Sequence, residues 1–104
     1  MKQMNIFNLD GLSRDREFSE LILSADGEFK MERVVSFGHA SPDGFWYDQL
    51  EDEWVLLAKG TAQIEFDGGD IADMVAGDYV VIMAGMRHRV TEVSEDAIWL
   101  GFFF

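Results

Sequence analysis

Between Phe45 and Gly60 a polar cluster, Tyr47-Asp48-Gln49-Leu50-Glu51-Asp52-Glu53, runs directly into Trp54-Val55-Leu56-Leu57-Ala58, a segment with no polar side chain. Side chains alternate along a strand, so Glu53, Val55 and Leu57 point one way and Trp54, Leu56 and Ala58 the other. Both faces are apolar apart from Glu53, which reads as a strand buried on both sides. An unpaired carboxylate at the head of such a strand costs on the order of several kcal/mol, so it needs a cation, a metal or a donor network beside it. That need makes Glu53 the first candidate for a site.

The rest of the chain reads as short strands separated by turn signals. A short strand is expected near Asn5 to Phe7, then a loop, then a strand over Glu17 to Ser24 closed by the turn Ala25-Asp26-Gly27-Glu28. From Phe29 to Phe37 the positions Phe29, Met31, Val35 and Phe37 are apolar while Lys30, Glu32 and Ser36 are not, the pattern of a half-buried antiparallel strand. The only proline lies in the turn Ser41-Pro42-Asp43-Gly44. Thr61 to Phe66 alternates, with Ala62, Ile64 and Phe66 on one face, and Asp67-Gly68-Gly69-Asp70 closes a hairpin to Ile71 through Val75. Further strands are expected over Tyr79 to Met83, His88 to Val93 and Ala97 to Phe104, with Met74, Met83 and Met86 as core filling. Nothing reads as a long helix, and this succession predicts an all-β sandwich or barrel.

The spacing carries more. Tyr47-x-Gln49-x(3)-Glu53-x(6)-Gly60 resembles the first motif of the cupin superfamily, His-x-His-x(3,4)-Glu-x(6)-Gly, with tyrosine and glutamine in the histidine positions. Gly77, Gly85 and His88 match the second motif, Gly-x(5)-Pro-x-Gly-x(2)-His-x(3)-Asn, with Met83 for the proline and Glu92 for the asparagine. A register one residue longer would use Trp46 and Asp48, but an indole cannot ligate a metal. The resemblance implies a cupin-type jelly roll forming one domain over residues 1–104. It also implies one divalent metal (Zn, Fe, Mn or Ni) inside the barrel, held by His88 and Glu53 with Gln49, and His39 is the one other imidazole that could join them.

On this reading Glu53, His88 and Tyr47 are the candidate catalytic residues. Two hypotheses stand side by side: a metal-dependent enzyme of oxygenase, isomerase or lyase type, and a metal-free module that binds a small metabolite. In a third, Glu53 and His88 are a silent structural pair. If the two face each other, Glu53 stays ionised and the His88 pKa rises. Arg87 could reach the mouth as a carboxylate clamp or remain in surface ion pairs.

Twenty Asp and Glu against eight Lys and Arg give a formal charge of -12, which repels nucleic acid and anionic membranes. There is no cysteine, so disulfides and thiolate chemistry are excluded. No apolar run suits a signal peptide or a membrane span, so a cytoplasmic protein with a small-molecule ligand is expected. Ile98 to Phe104 is apolar at both parities, which predicts either a homodimer or a cover from the N-terminal segment.

Overall fold

In a computed structural model covering Met1–Phe104, the chain folds into eight β-strands and no helix. They are β1 (Phe18–Ala25), β2 (Phe29–Val35), β3 (Glu53–Lys59), β4 (Thr61–Phe66), β5 (Ile71–Val75), β6 (Tyr79–Ile82), β7 (His88–Val93) and β8 (Ile98–Phe103). One antiparallel sheet has the order β1-β2-β8-β3-β6 and the other β5-β4-β7. The result is the all-β sandwich that the alternation and turn signals demand. No helix is long and apolar enough to cross a membrane.

β3 is buried on one face rather than on both, since Trp54, Leu56 and Ala58 on its outer side are only half-covered. Val55 and Leu57 are buried between the sheets with Ala62 and Ile64 of β4, Met74 of β5, Ile82 of β6, and Ala97 and Trp99. Burial of this apolar surface is the main stabilising term, at about 25 cal/mol per Å². The one polar link within it is satisfied, because the Trp99 indole N–H donates to Ser36 Oγ at 3.0 Å. Met83 and Met86 lie on exposed turns rather than in this core, since they flank the corner at Gly85.

Two further expectations fail for physical reasons. No strand forms at Asn5 to Phe7; the Asn5 and Asn8 side chains accept from the backbone N–H groups of Phe7 and Asp10 at 2.8 and 2.9 Å, turning the chain locally instead. The buried Arg33 guanidinium then donates to the carbonyls of Ile6 and Asn8 at 2.9 and 2.7 Å. β2 is also turned over relative to a simple half-buried strand. Met31 pairs with Phe102 and Phe29 stacks on it, both on the outer face, while Glu32 and Val34 face inward. Leu9, Leu12 and Phe18 cover the outer side of Val35, Phe37 and Ile98, so the N-terminal segment hides one end of β8 and leaves the Phe102 end open.

Gly60 stands where the chain leaves β3 in one sheet and enters β4 in the other. Its φ is +86°, and an added Cβ would lie 2.8 Å from Ala97 Cα and clash with Ser94 Oγ. Gly60→Ala is expected to destabilise the fold by about 3 kcal/mol, combining left-handed backbone strain with a clash against main chain. A urea unfolding curve with an unchanged midpoint would refute this account of the corner.

Candidate functional site

The loop between β2 and β3 delivers the polar cluster to the mouth of the sandwich and is fixed there by backbone bonds. Tyr47 N–H donates to His88 O at 2.7 Å and His88 N–H to Tyr47 O at 3.1 Å, forming a lone antiparallel bridge. Gly85 N–H donates to Gln49 O at 2.9 Å, and Ala84 N–H to Asp52 Oδ1 at 2.8 Å. The corner after β6 and the start of β7 therefore hold Tyr47 and Gln49 beside His88. Glu53 joins them from the first position of β3, on the inward side with Val55.

Tyr47, Gln49, Glu53 and His88 all line one cavity of about 170 Å³ between the sheets. Gln49 Nε2 donates to Glu53 Oε1 at 3.1 Å, supplying the donor that the buried carboxylate needs. The other oxygen rests over Gly101, where an added Cβ would come within 3.1 Å of Glu53 Oε2. The Tyr47 ring stacks on the His88 ring, centroids 5.3 Å apart, and Phe45 meets Tyr47 edge-on at 4.8 Å. Val55, Ile64, Val90 and Trp99 complete an apolar floor.

Burial dominates the electrostatics. The Glu53 pKa is raised by desolvation, with Glu32 and Glu51 adding to it and the Gln49 hydrogen bond opposing it. The His88 pKa is lowered, again by desolvation, and the ring bonds Met86 O at 2.9 Å through Nδ1. A carbonyl only accepts, so Nδ1 carries the proton and Nε2, without a protein partner, keeps its lone pair. The Tyr47 pKa is raised by desolvation and by Glu17 and Glu53. Burial thus biases each group toward its neutral form, in place of the expected ion pair in which an ionised Glu53 would raise the His88 pKa.

Other expected participants lie elsewhere. His39 is exposed at the rim, its Nε2 2.9 Å from Arg14 O, and it does not line the cavity. Arg87 pairs with Asp67 at 3.0 Å and Arg89 lies 3.6 Å from Glu65. Both guanidinium groups lie over the Trp46 ring, at 5.5 and 5.0 Å, outside the cavity. Sequence reasoning passed over Glu17 and Glu32, which also line the cavity. The signal for Glu32 was its alternation with Met31 and Arg33, but alternation does not say which face is inward.

The resemblance implies a metal, and the donor set can be tested against one. Without His39 the expected ligands reduce to one imidazole and the carboxyl of Glu53, supported by an amide and a phenol, and the Glu17 and Glu32 carboxyls that also line the cavity do not converge on them. No group of three or more His, Cys, Asp and Glu side chains converges anywhere in the chain. An amide already bonded to the carboxylate and a phenol with a raised pKa are weak donors for a first-row ion. The residues present do not fit the expected centre.

Glu53 carries a stability consequence. Its raised pKa means that the folded protein binds this proton more tightly than the unfolded chain does. Nothing is lost below the ordinary value of 4.5, and stability falls as the pH rises through the folded-state pKa. Glu53→Gln keeps the shape and the Gln49 contact, so at pH 8 it is expected to raise Tm by about 4 °C, the shift that ~1 kcal/mol produces in a domain of this size. The gain should vanish at acidic pH; a variant less stable than the parent at pH 8 would contradict the account.

No family model and no curated protein matches this chain. Solved structures do. A proposed mannose-6-phosphate isomerase from Ralstonia eutropha JMP134 is 36% identical, with 99% of this chain and 97% of that one aligned and a TM-score of 0.89. An RmlC-like cupin protein from Desulfovibrio desulfuricans is 19% identical over 99% and 95% of the two chains, with a TM-score of 0.74. A cupin superfamily protein from Desulfitobacterium hafniense DCB-2 is 17% identical over 89% and 81%, with a TM-score of 0.72. With the two-sheet fold, the paired motifs around Glu53 and His88, and a relative matched over nearly its whole length, this chain belongs to the cupin superfamily.

Proposed function

We propose that this protein is a small-molecule-binding cupin that moves a proton on its ligand by isomerase- or lyase-type chemistry, using its own side chains in place of a metal. The observation that supports this is the placement in one cavity of the Glu53 carboxyl and the His88 imidazole, whose Nδ1 is bonded to Met86 O and whose Nε2 has no protein partner, with burial biasing both groups toward their neutral forms. Environments that set an acid and a base in opposite roles mark general acid–base sites. His88 Nε2 takes a proton from a carbon beside a ligand carbonyl, and the Glu53 carboxyl gives one to the oxygen or neighbouring carbon. The ligand neither gains nor loses protons overall, and water returns the proton from His88 to Glu53. Tyr47, stacked on His88, positions the ring and borders the ligand.

The test is solvent-deuterium uptake, read by proton NMR, across a panel of aldoses, ketoses, amino sugars and their phosphate esters. Uptake beside the carbonyl is expected for at least one member, to fall roughly 10²- to 10⁴-fold in Glu53→Gln, and to survive a chelator. The pH profile should be bell-shaped, falling at low pH as His88 gains a proton and at high pH as Glu53 loses one. Activity that appears only after a divalent metal is added would overturn the reading.

We also propose that the chain pairs with a second copy through the outer face of the five-stranded sheet. Trp54 and Phe102 are register partners there; Trp54 packs on Tyr79 at 5.4 Å, and Phe102 packs on Phe29 and Phe104 at 5.2 and 5.8 Å. Tyr79, Val81 and Phe104 on or beside this face are 61, 49 and 52% exposed, an aromatic patch continuous with the half-buried Leu56 and Leu100. A dimer is expected in light scattering at micromolar concentration, shifting to monomer in Phe102→Glu; a monomeric parent would remove the proposal.

A further inference from the structure

Resting on the cavity as the ligand site, we propose that Glu17 determines specificity by receiving a cationic nitrogen, so that the ligand is a small amine such as an amino sugar rather than a phosphate ester. Fifteen residues line the cavity, and among them are three glutamates, Glu17, Glu32 and Glu53, but no lysine or arginine. Recognition of a phosphate relies on Arg or Lys donors, and none of these residues supplies them.

The hydrogen-bonding inventory points the same way. Gln49 spends a donor on Glu53, and His88 spends its one N–H on Met86 O. What remains free is chiefly acceptor: the Glu17 carboxylate and Nε2 of His88, a residue only 5% exposed with that nitrogen unpartnered. An ammonium group supplies three donors and a charge.

Glu17 differs from the other two glutamates in lacking an internal partner. Glu53 accepts from Gln49, and Glu32 lies 3.6 Å from Lys30 Nζ. Lys30 lies outside the cavity lining, over the Phe103 ring at 4.9 Å, so Glu32 already has an ammonium beside it. Glu17 is exposed at the rim, where desolvation raises its pKa and His39 opposes the rise, and it adds to the desolvation that raises the Tyr47 pKa. It makes no hydrogen bond or ion pair with any protein group.

The experiment is two-dimensional NMR titration of the full chain with a matched series: glucosamine, mannose and mannose 6-phosphate. Glucosamine is expected to perturb Tyr47, His88 and Gly101 and to bind more tightly than either other sugar. Glu17→Gln should weaken glucosamine by about fivefold, the upper range for an exposed ion pair, and leave mannose unchanged. Glu17→Lys should reverse the order in favour of mannose 6-phosphate. Preference of the parent for mannose 6-phosphate, or equal affinity for all three at the cavity, overturns the role of Glu17 while leaving the cavity as the ligand site. Shifts confined to other surfaces, or none with any sugar, count against both.

Discussion

Two hydrogen bonds between the backbones of Tyr47 and His88 tie the loop before β3 to the first residue of β7, and the site exists because of them. The loop has no regular structure of its own, and loops are where backbone freedom is greatest. The bridge removes that freedom at one point, and the bonds from Gly85 to Gln49 and from Ala84 to Asp52 remove it at two more. Segments far apart in sequence, one carrying Tyr47, Gln49 and Glu53 and the other His88, thereby become one wall.

Given that wall, the chemistry follows from desolvation rather than from pairing. A carboxylate facing a full positive charge would be ionised, and an imidazole facing a full negative charge would be protonated. Here the strongest local influence on each is the loss of water, so Glu53 and His88 are driven toward their neutral forms. The many acidic residues reinforce this, since Glu32 and Glu51 both oppose a charge on Glu53. A metal would invert the logic by supplying the missing positive charge, but replacing the two histidines of the cupin pattern with Tyr47 and Gln49 takes away the donors that would hold one.

Much of this was legible in the residues. The parity of Glu53, Val55 and Leu57 gave the inward face of β3, and the motif spacing brought Glu53, His88, Tyr47 and Gln49 together. What stayed hidden depends on register. Period-two alternation says that Met31 and Glu32 face opposite ways, but only pairing with β8, where Glu32 lies opposite Gly101, says that the acid is the inward one. The place of His39 was open in the sequence for a related reason: its partner is the backbone carbonyl of Arg14, which any residue type would provide and no side-chain pattern reveals.

The buried Arg33 guanidinium has a consequence for the order of assembly. Its acceptors, the carbonyls of Ile6 and Asn8, lie 27 and 25 residues away along the chain, and its ion-pair partner Glu20 is on β1. β1 and β2 are joined by a short turn and can pair early, at little loop-closure cost. Only after they pair does Arg33 present a fixed fork to the N-terminal segment. That segment should therefore dock late in folding and detach first in unfolding, baring the Val35–Ile98 end of the outer sheet while the cavity on the other face stays intact.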